Sequence, residues 1–435
     1  MLHVETHLLP RVTMDRRDFL GFSFETLAAA LASGPSLLVP DRRPKPDKPG
    51  AFDPDTLFLT WQRDPCTTMT VQWIGTAADA APVTVGHRYG GPTKTFTPTA
   101  KPYPLSAFTT YRTEITGLEP GTEYRFTLGT NSPDYHFRTM PAKLTNAFTF
   151  VSGGDCGTNL HAVANNVIAA KQDPMFALIC GDLGYDNGRS TNTSLTFYRN
   201  YAKTMIDSKG RLVPMVVGIG NHEVNGSYNK TRDKAPFYFA LHDGLYPDTS
   251  YAALDFGNYL SLVILDTGHV CPIGGEQTSW LDKALRDRTD RPHLLVANHV
   301  PAYPSYRNPD AGANTGGGTG AGNRKFWVPL FEKYNVDVVL EHHDHTFKRT
   351  HPMLAGHVDN DRGILYLGDG SWGKLRAPKS PEDRPYLAHT SQNYHMTVHR
   401  LEGDKRFHMA LADTGQIIDI TTTAKKPRRK HTSVG

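Results

Sequence analysis

Five short segments carry side chains that bind metal ions: GGDCG at 153–157, GDLGY at 181–185, GNHE at 220–223, VANH at 296–299 and HDH at 343–345. Their Asp and Tyr residues offer hard anionic oxygens, and their His and Asn residues offer neutral nitrogen and oxygen donors. A donor set that divides unequally in charge can hold a trivalent and a divalent ion side by side. Two ions about 3.5–4 Å apart can clamp a phosphoryl group, generate hydroxide near neutral pH and stabilise a leaving oxygen. Phenolate oxygen favours Fe(III) over Zn(II) or Mg(II), because a hard ion of high charge binds tyrosine deprotonated. Asp182 stands three residues before Tyr185, so its carboxylate could bridge both ions. Taken singly, an Asp after a strand is more often a cap or turn residue, and a His or Tyr more often a satisfied polar or core group. Five such turns in one chain reverse those odds.

The elements that must position these turns are legible beside them. Apolar β-type runs precede nearly every segment: FTFVS before Asp155, MFALIC before Asp182, VPMVVGI before Asn221, HLLVA before His299 and VDVVL before His343. Ligands at strand ends converge at the carboxyl edge of a sheet, where open α/β folds place their sites. Helix-like stretches such as LHAVANNVIAAKQ, TSLTFYRNYAKTMIDS and EQTSWLDKALRDR alternate with these runs, which implies helices on the outer faces of the sheet. His343 and His345 flank Asp344, so an extended segment would turn both imidazoles to one side and Asp344 away. Residues 55–141 differ in texture: short strands such as TMTVQWI and YRFTLG, separated by turn residues, predict a β-sandwich. Its segment LEPGTEY at 118–124 resembles the tyrosine corner of fibronectin type III domains. The Gly-rich stretch 308–323 lies between two ligand turns and reads equally as a lid or an idle insertion.

The chain has 435 residues, enough for two domains with terminal segments, and its charged fraction of 21% and aromatic fraction of 10% are ordinary for a globular protein. The formal charge of +4 is inflated by the basic tail at 424–435, so no face for nucleic acid is expected. Residues 1–40, with Arg16-Arg17 before Phe19-Leu20 and a weak apolar stretch, resemble a twin-arginine export signal. That stretch is too short and polar for a stable membrane span. Export to the periplasm or medium follows as the expectation, with 41–54 as a Pro- and charge-rich linker. Cys66, Cys156, Cys180 and Cys271 do not make a disulfide scaffold; buried thiols are favoured over a single bridge.

Residues 148–375 resemble the purple acid phosphatase branch of the calcineurin-like metallophosphoesterases, whose blocks D-x-G, G-D-x-x-Y, G-N-H-[ED], V-x-x-H and G-H-x-H stand here in order. The resemblance implies an N-terminal β-sandwich followed by a four-layer αββα metallophosphoesterase domain, placed at 146–423. It also implies Fe(III) on Asp155, Tyr185 and His345, a divalent ion (Zn, Mn or Fe) on Asn221, His299 and His343, and Asp182 bridging. His222 would be no ligand but the catalytic group that approaches the substrate's leaving oxygen. The activity implied is hydrolysis of small phosphomonoesters by a metal-activated hydroxide. The alternatives are a phosphodiesterase or nucleotide pyrophosphatase on the same centre, or, in another class, a non-catalytic wall- or matrix-binding protein. Two departures from the family pattern stand out. His342 replaces the glycine of G-H-x-H, and no histidine lies between 300 and 341, where plant-type members carry a phosphate-contacting pair. His342, Tyr303, Tyr306 and Arg307 are therefore the candidate substrate contacts.

Overall fold

The computed structural model describes residues 39–45, 51–310, 320–368 and 370–425. The export-signal stretch, the tail from 426 on and the middle of the Gly-rich segment lie outside the described residues. Among the described residues no helix is long and apolar enough to cross a membrane.

Residues 58–138 form two four-stranded antiparallel sheets, each mixing strands from early and late in the segment. Period-two alternation builds their shared core: Tyr124, Phe126 and Leu128 of strand Glu123–Leu128 are buried, while the residues between them are half-buried. Trp73 stacks on Tyr111 with ring centroids 5.3 Å apart. Tyr124 OH accepts a hydrogen bond from Glu119 N at 2.8 Å, which is the tyrosine corner expected from LEPGTEY. The sandwich does not stand apart from the C-terminal sheets. Trp61 meets Phe176 and Phe256 edge-on at 6.2 and 6.0 Å, so one apolar core runs from the sandwich into the adjoining layer.

From residue 148 the chain builds two more sheets, as the four-layer αββα expectation requires. In the first, Met215–Gly218, Ala177–Cys180 and Phe148–Gly153 lie parallel. In the second, Leu260–Leu265, His293–Asn298, Val338–Glu341 and Leu365–Gly368 do so. The two sheets face each other. Phe150, Leu178 and Cys180 share a buried core with Leu262, Ile264, Leu295, Ala297 and Leu340. The alternate residues Val263, Leu265, Leu294 and Val296 pack outward on Leu281, Leu285 and Phe331 of the helices Glu276–Arg286 and Val328–Lys333. Burial on both faces explains why these strands read as unbroken apolar runs. Helices Leu160–Ala170 and Thr191–Thr204 belong to the first sheet's side, joined by Asn166 Nδ2 donating to Thr204 Oγ1 at 3.0 Å. Three antiparallel strands, His395–Glu402, Lys405–Ala412 and Ile417–Ala424, complete the first sheet.

Three expectations need correction. Part of the linker is pinned: Arg43 pairs with Asp41 at 2.7 Å and with Asp53 at 3.1 Å. The first lysine of the basic run is structural, since Lys425 Nζ donates to Arg291 O at 2.5 Å. The end of the Gly-rich stretch is helical, because Ala321–Phe326 is a helix whose Asn323 side chain bonds Val300 O at 2.7 Å. All four cysteines are free thiols, and burial pushes those of Cys156 and Cys180 far up.

Candidate metal centre

Each ligand turn follows the carboxyl end of a parallel strand. Phe148–Gly153 leads to Asp155, Ala177–Cys180 to Asp182 and Tyr185, and Met215–Gly218 to Asn221. His293–Asn298 leads to His299, and Val338–Glu341 to His343 and His345. Asp155, Asp182, Tyr185, His343 and His345 all sit in the left-handed backbone region, with φ of 58°, 55°, 65°, 77° and 62°. Each such non-glycine residue costs about 1–3 kcal/mol, and the cost is met where the surroundings enforce the turn. The segment 343–345 is thus a tight turn like the other four, and the alternation that would hold for an extended segment does not apply to it. Two glycines allow the close approach. A Cβ on Gly181 would collide with the His299 ring, and one on Gly370 with the Asp155 carboxylate.

The seven expected ligands come together in two linked groups. In the first, Asp155 Oδ1 is 3.0 Å from His345 Nε2, and Tyr185 OH is 3.3 Å from that oxygen and 3.0 Å from the same nitrogen. In the second, His299 Nε2 is 3.1 Å from both Asn221 Oδ1 and His343 Nδ1. Asp182 Oδ1 is 3.3 Å from His299 Nε2. Ligand atoms of Asp155, Asp182, His299 and His343 lie within 4.8 Å of one another, and all four residues are buried. His299 Nδ1–H donates to Cys180 O at 3.0 Å, which fixes the tautomer and leaves the Nε2 lone pair directed into the cluster.

The electrostatics call for positive charge at this point. Burial works against a charged His299, yet Asp182 and Asp155 lift its pKa to about 9. Burial likewise opposes a charged Asp182, but His299 and His222 hold it well below the usual carboxylate range. Asp182 Oδ2 is buried without a hydrogen-bond partner, an orphan acceptor that a cation would satisfy. Burial, followed by the Asp155 and Asp182 charges, pushes the Tyr185 phenol far up, so only a strong cation would hold it as phenolate. The donors present therefore fit a pair of metal ions.

His222 lies at the rim, a third exposed, with Nε2 3.9 Å from Asp182 Oδ2. Its Nδ1–H donates to Asn187 Oδ1 at 2.5 Å, and its ring lies 4.2 Å from that of Tyr185. The four candidate substrate contacts fare differently. His342 is buried, with Nδ1–H donating to Asn298 O at 3.0 Å, and its φ is not left-handed, so the imidazole is accommodated where the family has glycine. Burial pushes its pKa down to about 3, which removes it as a cationic contact. Tyr303 is a core residue, packed on Tyr366 at 4.6 Å. Arg307 braces the ligand turn by donating to His343 O at 2.6 Å and Asp344 Oδ1 at 2.8 Å. Tyr306 remains exposed, beneath the Arg376 guanidinium.

Sequence reasoning passed over three participants. Glu223 is buried and accepts from the backbone N–H groups of Gly220, Asp182 and Leu183 at 2.8, 2.8 and 2.7 Å, tying two ligand turns together. Tyr228 OH is 3.3 Å from His343 Nε2. Lys374 stands over the Tyr185 ring. The acid at the end of GNHE was the one signal available; the other two come from loops whose composition carries none.

A family model for the purple acid phosphatase N-terminal domain matches residues 54–139, and one for calcineurin-like phosphoesterases matches 148–347. Purple acid phosphatase 21 of Arabidopsis thaliana is 26% identical over 291 residues, covering 62% of this chain and 61% of that protein. Acid phosphatase type 7 of Mus musculus is 24% identical over 413 residues, covering 84% and 90%. The alignment thus spans about three fifths of the plant relative and most of the mouse one. Among solved structures, purple acid phosphatase PPD1 from yellow lupin aligns with a TM-score of 0.69 at 18% identity, over 85% of this chain and 74% of its own. With a purple acid phosphatase N-terminal domain ahead of the phosphoesterase domain and five ligand turns meeting at its strand ends, the chain belongs to the calcineurin-like phosphoesterases, in the purple acid phosphatase branch.

Proposed function

We propose that the protein is an exported dinuclear metallophosphatase that hydrolyses phosphomonoesters. Asp155, Tyr185 and His345 would hold Fe(III), and Asn221, His299 and His343 a divalent ion of zinc, manganese or iron, with Asp182 shared. The observation that carries the reading is the partition of donors. Among the seven expected ligands, the Tyr185 phenol lies against Asp155 and His345, while the Asn221 amide lies against His299, and His343 joins it there. The orphaned Asp182 Oδ2 belongs to the same cluster. When bound, the two ions would supply Lewis acidity toward the phosphoryl oxygens and a water of lowered pKa.

The chain's own groups do the rest. Asn187 fixes the His222 ring through Nδ1, so His222 carries a transferable proton at Nε2 only as imidazolium. From the exposed rim it would give that proton to the departing alkoxide. Export rests on the Arg16-Arg17 segment. The reading is tested by metal content, the visible spectrum and rates on nitrophenyl phosphate and bis-nitrophenyl phosphate. Stoichiometric iron with a broad visible band that Tyr185→Phe abolishes, and faster turnover of the monoester, is expected. An active, metal-loaded but colourless protein would refute the Fe(III)–Tyr185 assignment, and preference for the diester would refute the substrate class.

A further inference from the structure

We propose that Lys374 is a positioning residue for the Tyr185 ring, holding its ammonium group against the ring face so that the redox level of an iron ion bound there is set in part by this lysine. The inference rests on the reading of Tyr185 as an Fe(III) ligand. Lys374 Nζ lies 4.3 Å from the centroid of the Tyr185 ring, within the range of a cation–π contact.

The placement is built by the backbone on both sides. Trp372 N donates to Gly154 O at 3.2 Å and Gly373 N to Asp155 O at 3.0 Å, while Arg376 N donates to His345 O at 2.7 Å. The strap 372–376 is therefore laced to the two turns that carry Asp155 and His345, the other residues of the Tyr185 group. Gly157, at φ 65°, leaves room for the pair. A Cβ there would stand 3.2 Å from Lys374 Cε and 3.6 Å from Tyr185 Cδ2. Lys374 is half-buried, so water screens its charge less than that of an exposed lysine.

A cation over a phenol ring gains little, but over a phenolate it meets a full negative charge. Against the ring face, the Lys374 charge lowers the energy of the π electrons that Tyr185 would share with a bound Fe(III) ion. Moving an electron from the ring to that ion becomes harder, which raises the energy of the visible charge-transfer band. The same positive charge favours the reduced ion, which raises its reduction potential.

The test uses the purified metal-loaded protein with Lys374→Met and Lys374→Arg, read by iron per chain, visible band position and reduction potential. Lys374→Met should move the band to longer wavelength and lower the potential, and Lys374→Arg should stay near the wild type. Loss of iron in Lys374→Met but not in Lys374→Arg would equally support the charge role. An iron-replete Lys374→Met with an unmoved band overturns the inference, as does equal loss of iron in both variants, which would mark a packing role. A coloured wild type keeps the ligand reading standing whichever way the variants fall. A colourless iron-loaded wild type removes that reading and the inference together.

Discussion

Asp344, between the two ligand histidines of the HDH turn, should prove more important to the site than its distance from the chemistry suggests. It is fully buried and points away from the cluster. Its Oδ2 accepts from Tyr306 N at 2.6 Å and Arg307 N at 3.2 Å, and its Oδ1 from the Arg307 guanidinium at 2.8 Å. The same guanidinium nitrogen donates to His343 O. In Asp344→Asn the amide oxygen can keep the two backbone donors only by turning its NH2 toward Arg307, donor against donor. Breaking a buried pair by removing one partner costs about 3–5 kcal/mol, and the partial exposure of Arg307, at 13%, points to the lower end of that range. Denaturant midpoints measure the loss. Because His343 and His345 flank the position, metal should also be stripped by about 10–100-fold less chelator, as when a partner of a ligand is lost. The mechanism makes a sharper demand on the double variant. If Asp344 acts through the guanidinium, Asp344→Asn should cost at least about 0.5 kcal/mol less in an Arg307→Met background. Strictly additive costs, or wild-type resistance to chelator in Asp344→Asn, would refute this account.

His222→Ala should lower kcat by roughly 10²–10⁴-fold with poor leaving groups and less with nitrophenyl esters, while metal content stays unchanged. Burial holds the His222 pKa below that of an ordinary histidine, so the donor is present at acid pH and is lost as pH rises. The wild-type fall in kcat on that limb should flatten in the variant, and metal loss on mutation would contradict the role. His342→Gly should leave a cavity and orphan Asn298 O, destabilising the protein by about 2–4 kcal/mol with an unchanged Michaelis constant. A Michaelis constant that rises most at acid pH would refute that placement. His242, His293, His395 and His399 are pushed down to about 3, burial being the leading cause. Unfolding releases them to about 6.5, so their stabilisation is present above that pH and is lost toward about 3, at up to ~1.4 kcal/mol per pH unit for each. A denaturant midpoint that does not fall between pH 7 and pH 5 would refute this.

The strands that carry the ligands were legible because burial on both faces makes them largely apolar, as in Ala177–Cys180 and Met215–Gly218. The same property left unread which strand joins which of the two expected sheets, since an apolar run does not say which neighbour it pairs with. The strands His395–Glu402 and Lys405–Ala412 went unread for the opposite reason. They place His395, His399, Arg406 and His408 inside, where Ser371, Ser152, His293 and Thr423 meet them, so no hydrophobic period shows. Alternation could not place the HDH side chains, because period two holds only for extended backbone and His343 and His345 are left-handed. Tyr303 had the residue type of a substrate contact but lies in the helix-side core, a distinction made by tertiary packing alone.

The backbone of the ligand turns explains why so many residues outside the ligand set belong to the site. Five left-handed non-glycine residues would relax if the chain were free, so each turn needs a fixed partner. Asp182 is held by Glu223, which takes its N–H and that of Leu183. Asp155 is held by Gly181 O on its N–H and by Gly373 N on its carbonyl. His343 N–H donates to Asp155 Oδ2 at 2.8 Å, so one ligand turn braces another, and Arg307 closes its carbonyl. His345 is tied to the strap by Arg376 N. Asn221 and His299, whose backbones are not left-handed, sit in a 3-10 turn and directly at a strand end. The strain therefore falls on the Tyr185 group, on Asp182 and on the His343 turn, and the strap 372–376 crosses the Tyr185 group. That coincidence makes the strap a structural part of the metal site, and it is why a lysine within it can hold a fixed position over the tyrosine.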